Sequence, residues 1–143
     1  MKQILMISLL MAAVANASYG QNEIEGYWLA GEGNTIVEFT ELENGTYQGK
    51  IVWLKKTTDK KGNPFKDTKN PDKSLRNRDI LGLPMVERAD YENGAWKGQI
   101  YAVKNGRTVN ATFTLDGDDK LKVKVSFRGF KRTQVWTKTD LPK

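Results

Sequence analysis

From residue 21 onward, apolar and polar positions alternate in short runs instead of recurring every three or four residues. Valine, isoleucine, threonine and aromatic residues fill these runs, as pleated surfaces prefer. The pattern predicts strands at 26–30, 35–42, 46–54, 83–91, 95–103, 108–115, 120–127 and 131–137. No stretch of this region shows a 3.6-residue period with caps at its ends. Asn44-Gly45, Asn93-Gly94 and Asp116-Gly117 supply the residue pairs of tight hairpins, which need positive φ. A long antiparallel series in hairpin order tends to close, because closure removes exposed edges. The expected fold is all-β: an up-and-down barrel of about eight strands. Such an interior either fills with side chains or holds one small ligand.

One part of the pattern occurs twice. "IVEFTELENGTYQGKIVWLK" (Ile36–Lys55) aligns without gaps to "MVERADYENGAWKGQIYAVK" (Met85–Lys104), with 8 of 20 positions identical. Each copy reads as a hairpin. Tyr47, Gly49 and Ile51 share one face of a strand, as do Trp96, Gly98 and Ile100. Glycine at the matched sites Gly49 and Gly98 permits bending or close approach of another group. Reuse of a good hairpin and ancestral duplication both account for the pair, and neither names a ligand.

Residues 1–20 follow a different pattern. Lys2 precedes an apolar run over residues 4–14, and Ala15-Asn16-Ala17 forms an A-x-A cleavage pattern. This reads as an export leader, cut after Ala17 or Gly20, which leaves a single barrel domain at 21–143. The protein is expected in the periplasm or the medium. The apolar run falls short of the ~20 residues that span a bilayer. Cysteine and histidine are both absent, with 0 of each. Disulfides, cysteine-ligated zinc and a lipidated N-terminal cysteine are thereby excluded, as are Ser-His-Asp and H-E-x-x-H chemistry.

The formal net charge of +6 is unevenly distributed along the sequence. Residues 55–79, "KKTTDKKGNPFKDTKNPDKSLRNRD", hold 9 basic and 4 acidic residues. That net of +5 equals the whole excess of residues 21–143, which contain 22 basic and 17 acidic residues. A segment this long between strands is functional or disordered. Pro64, Phe65, Pro71 and Leu75 favour partial packing. A basic cluster suits an anionic envelope surface. One basic loop on an exported chain does not make a nucleic-acid binder, and none is expected.

Gly26-Tyr27-Trp28, "YQGKIVWL" (Tyr47–Leu54), "DTKNPDKSLRNRDILGL" (Asp67–Leu83), "WKGQIY" (Trp96–Tyr101) and "RTQVWTK" (Arg132–Lys138) together resemble DUF2147, a family of uncharacterised exported bacterial proteins. The resemblance spans nearly all of residues 24–138. It implies a lipocalin-type barrel and brings no established activity. It also suggests a lipocalin device in which an arginine of the last strand lies over a tryptophan of the first. Arg132 and Trp28 are the residues that fit. The chain departs from the family pattern after Tyr101 and lacks the cysteines that many relatives carry.

On the last predicted strand Arg132, Gln134 and Trp136 share a face. If Trp136 points inward, two polar groups line an apolar interior, and a ligand carboxylate can engage Arg132 in bidentate fashion. Carbonyls, Glu38 or Glu87 are the internal alternatives. Asn110 and Thr112 are further polar candidates. Tyr47, Ile51, Trp53, Trp96, Ile100, Val123, Val125, Phe127 and Trp136 either fill the interior or line a pocket, and Trp53 and Trp96 are candidate ligand contacts. Asp67, Asn70 and Asp72 lack EF-hand spacing, so Asx turns explain them better than calcium. Arg76 and Arg78 either pair with these aspartates or clamp an anion.

The expected function is binding of a small apolar or amphipathic ligand, with an anionic group allowed, by a monomer without catalysis, metal or cofactor. A filled barrel acting through loop 55–79 and a weak hydrolase or isomerase are the alternatives. Catalysis would need two carboxylates in contrasting environments, for which Glu38 and Glu87 are the symmetric pair.

Overall fold

The computed structural model describes residues 20–143. The leader expected at 1–20 lies, but for Gly20, outside the described residues. Strands β1 (Gly26–Ala30), β2 (Thr35–Glu43), β3 (Thr46–Leu54), β4 (Pro84–Glu92), β5 (Ala95–Ala102), β6 (Arg107–Leu115), β7 (Lys120–Phe127) and β8 (Phe130–Thr139) form a closed antiparallel barrel in sequence order. Closure comes from β1 pairing with β8, through Tyr27↔Thr139, Trp28↔Lys138 and Leu29↔Thr137. The predicted strands match this set to within about two residues at each end. Two short 3-10 turns, Gln21–Ile24 and Lys73–Leu75, escaped the period-based reading because each is a single turn.

The two "ENG" triplets form different turns. Asn93 and Gly94 both have positive φ, 50° and 81°, as a type I′ hairpin requires. In the β2–β3 hairpin only Gly45 is positive, at 80°, and a register shift between Glu41 and Glu43 absorbs the difference. Asp116-Gly117 is not a two-residue turn, since Asp116 N–H donates to the Lys120 carbonyl across a longer loop.

Trp28, Phe39, Tyr47, Trp96, Phe113, Leu121, Val123 and Trp136 are buried in one core cluster. Phe39, Phe113 and Trp136 meet edge to face or tilted, with centroids 5.4–6.5 Å apart. Burying whole aromatic side chains contributes about 1.5–3 kcal/mol each, with edge contacts adding to it. The barrel is therefore packed for most of its depth.

Its two ends differ. At one end the Gln21–Ile24 turn acts as a plug. Trp28 Nε1 donates to the Ile24 carbonyl at 2.8 Å, and Trp96 Nε1 donates to the Gln21 carbonyl at 2.9 Å. The Tyr47 hydroxyl bonds the Asn22 side chain. Tyr47 is held protonated to about 12, first by burial and then by Glu41. At the other end stand the β1–β2, β5–β6 and β7–β8 turns and both roots of the long loop.

Candidate functional site

Along β6 and β7 the inward residues are odd-numbered, running from buried Phe113 and Val123 to half-buried Val109, Val125 and Phe127 at the unplugged end. Along β8 the inward row runs from buried Trp136 through half-buried Gln134 to exposed Arg132 and Phe130. Val109, Val125, Phe127, Phe130 and Arg132 line a mouth cavity of about 340 Å³, with Ser126 and Lys131 at its edge. The buried Phe113 and Trp136 lie deeper along the same inward rows.

The shared face of Arg132, Gln134 and Trp136 is thus real, but the three residues do different things. Trp136 is buried and donates Nε1–H to Gln134 Oε1 at 3.2 Å. Gln134 therefore satisfies a core indole. Arg132 remains at the mouth, its guanidinium with no hydrogen-bond or ion-pair partner among the described residues. Two more guanidinium groups stand close by. Arg107 and Arg128 stack on the Phe127 ring, at 5.4 and 5.1 Å from its centroid.

Several expectations need correction. Arg132 does not lie over Trp28. The β1–β8 register sets Lys138 opposite Trp28, with its Nζ 5.8 Å from the ring centroid. Arg132 lies six positions away along β8, roughly 20 Å at strand rise. Trp96 is fully buried against the plug and Trp136 is buried in the core, so neither lines the mouth. Trp53 is half-buried opposite Ile36, beside a β2 register shift, outside the mouth lining. Asn110 and Thr112 point outward, since their odd-numbered neighbours are the buried ones; Asn110 accepts from Gln99 at 3.3 Å. Glu38 is on the outer wall beside Tyr27, whose hydroxyl it holds protonated, and Glu87 is exposed on β4. Neither carboxylate reaches the mouth, and neither satisfies Arg132.

The long loop begins and ends at the open end, but its central part packs on the outer wall. β4 and β5 pair only from Ala89↔Gly98 to Glu92↔Ala95. Above that level they part, and residues 67–78 cover the seam. Asp67 is fully buried there. It accepts from Tyr101 Oη at 2.6 Å, Asn70 Nδ2 at 2.8 Å and Arg78 Nε at 2.9 Å. Burial alone would raise its pKa. The hydrogen bonds from Tyr101, Asn70 and Arg78, with the guanidinium charge, outweigh that and hold it below the usual carboxylate range. Tyr101 is correspondingly pushed up to about 12, first by burial and then by Asp67.

Arg76 Nε donates to the Asn70 carbonyl at 2.7 Å, and Asp72 takes the Ser74 amide and hydroxyl. These residues build the loop. Arg76 and Arg78 are engaged internally and do not clamp an anion at the mouth. A cleft of about 400 Å³ remains along the seam, lined among others by Arg78, Met85, Arg88, Gly98 and Tyr101. Gly106 anchors the arrangement: at φ +66°, a Cβ there would lie 1.9 Å from the Lys69 carbonyl oxygen.

A closed eight-stranded antiparallel barrel, plugged at one end and open to a small apolar cavity at the other, is a lipocalin-like architecture. Consistent with this, the structure is similar to protein HP1028 from Helicobacter pylori, described as belonging to the lipocalin family. The TM-score is 0.66 at 22% identity, covering 82% of this chain and 83% of that one. Residues 26–138 match the model of DUF2147, an uncharacterised protein family conserved in bacteria, and the chain belongs to that family. No curated protein matches the sequence.

Proposed function

We propose that the open mouth binds a short amphipathic anion without catalysis. Its apolar part would lie on Val109, Val125, Phe127 and Phe130, and its acidic head on Arg132. One observation carries this reading: a guanidinium with no partner among the described residues borders an apolar cavity of about 340 Å³. Ligand pockets span about 300–1,000 Å³, so this one lies near the lower bound and suits a short chain. The packed aromatics beneath it stop deeper entry. Arginine is the residue best shaped for a carboxylate or phosphate head, through two parallel N–H···O bonds. A binding role also accords with the lipocalin-like fold, and export would place it among envelope amphiphiles.

Calorimetric titration with decanoate and decanol, both below micelle formation, tests the reading. Decanoate should bind, and Arg132→Gln should weaken it roughly tenfold or more, as loss of a charged hydrogen bond does. Decanol should bind weakly and be indifferent to that change. Absence of decanoate binding, or equal affinity in the variant, would contradict the proposal.

A further inference from the structure

The summed charge hides a polarity along the barrel axis. Of the three turns at the open end, β5–β6 and β7–β8 carry Lys104, Arg107, Arg128, Lys131 and Arg132, with no acidic residue in 103–107 or 126–132, while β1–β2 adds the single carboxylate Glu32. Lys55 and Lys56, both exposed, stand at the same end, where the Lys55 amide bonds the β1–β2 turn at Asn34. The plugged end is the reverse. Its turns present Glu41, Glu43, Glu92, Asp116, Asp118 and Asp119, of which Glu92 and Asp116 pair with Lys97 and Lys122. The molecule is thus electrically polar, with its mouth at the positive pole.

An apolar residue stands at that pole. Phe130 is 81% exposed, the largest exposure among the large apolar side chains described. The Arg128-Gly129 turn, with φ of 48° and 83°, holds it in a two-residue hairpin opposite Phe127. An aromatic group on a stiff tip, ringed by cations that form no ion pair among the described residues, has the chemistry of a bilayer interface. The ring gains by leaving water for the acyl boundary while the cations meet anionic headgroups. A soluble polyanion would satisfy the charges and leave Phe130 in water. We infer that the β7–β8 hairpin tip docks the protein, mouth first, on an anionic lipid surface. This goes beyond the mouth-ligand reading and holds whether or not the cavity takes a ligand.

The absence of native cysteine permits a single reporter at a chosen site. The full chain is labelled with an environment-sensitive dye at Phe130→Cys or at Asp118→Cys, then mixed with vesicles. Phosphatidylcholine vesicles containing phosphatidylglycerol should shift the 130 label to the blue and leave the 118 label unchanged. Pure phosphatidylcholine should do neither. Adding Arg128→Ser and Lys131→Ser to the labelled chain should reduce partitioning roughly tenfold or more, and added salt should do the same. An unshifted 130 label, an equal shift at 118, or an equal response to neutral vesicles would overturn the inference. So would binding to soluble polyphosphate with no blue shift on lipid. Binding through the apolar stretch at residues 4–14 alone would leave the 130 label unshifted and count against it. Failure here, with decanoate still bound at the mouth, would sink the docking surface and spare the pocket.

Discussion

Asp67 shows how one residue can hold a loop to a barrel. Its carboxylate is dehydrated, yet it is held ionised by three donors. A folded-state pKa below the unfolded ~3.9 means that its contribution is present above that value and is lost as pH falls through the folded one. Asp67→Asn should therefore cost about 2–3 kcal/mol at neutral pH, the scale of a charged hydrogen bond plus a stranded guanidinium. Arg78 is partly exposed and can rehydrate, which keeps the cost below that of a sealed pair. Urea unfolding at pH 7 and pH 3 checks this: the gap between the two proteins should be narrower at the second. An equal gap at both would remove the ionised latch. The sequence showed Asp67, Asn70 and Arg78 as neighbours in one loop. It gave no sign that Tyr101, 34 residues on, completes the site.

At the scale of elements, the repeated hairpin was legible and its copies proved unequal. Matched glycines were expected to permit close approach, and both do so by different means. A Cβ on Gly98 would lie 2.3 Å from the Arg88 carbonyl oxygen, where β4 and β5 begin to part. The atoms nearest to a Cβ on Gly49 would be side-chain atoms of Phe39 and Val37, at 3.1–3.2 Å. Side chains yield more readily than backbone. Gly98→Ala should cost about 3 kcal/mol and Gly49→Ala about 1 kcal/mol, within the range of overpacked sites. Chemical denaturation of the two variants checks the asymmetry, and equal losses would contradict it. Strand ends were readable because Asn-Gly and Asp-Gly mark turns and alternation marks faces. Registers between distant strands were not. The pairing of Trp28 with Lys138 depends on where β1 and β8 meet when the barrel closes, which no local pattern encodes. That is why Arg132 matches the Trp28 partner by sequence and yet lies at the opposite end of the barrel. The parity of Asn110 likewise became clear only once Phe113 and Val123 were seen to point into the core.

For the whole molecule, the balance between filling and opening decides function. The sequence offered nine interior candidates without saying whether they fill a core or line a pocket. The structure divides them: Tyr47, Ile51, Trp96, Ile100, Val123 and Trp136 are buried, Val125 and Phe127 line the mouth, and Trp53 is half-buried away from it. Along the sequence the charge excess belongs to one loop, and the rest of residues 21–143 is balanced. In three dimensions the balance is a cancellation between two ends of opposite sign, and both the mouth and Phe130 lie at the positive one. The central claim is that a single shallow cavity at this end accepts an anionic amphiphile, over a core that admits nothing. Backbone amide NMR during a decanoate titration tests it most directly. The account predicts shifts at Val109, Val125, Phe127, Phe130 and Arg132, with Trp28, Tyr47 and Leu121 unmoved. Shifts spread through the plugged end, or none at the mouth, would contradict it.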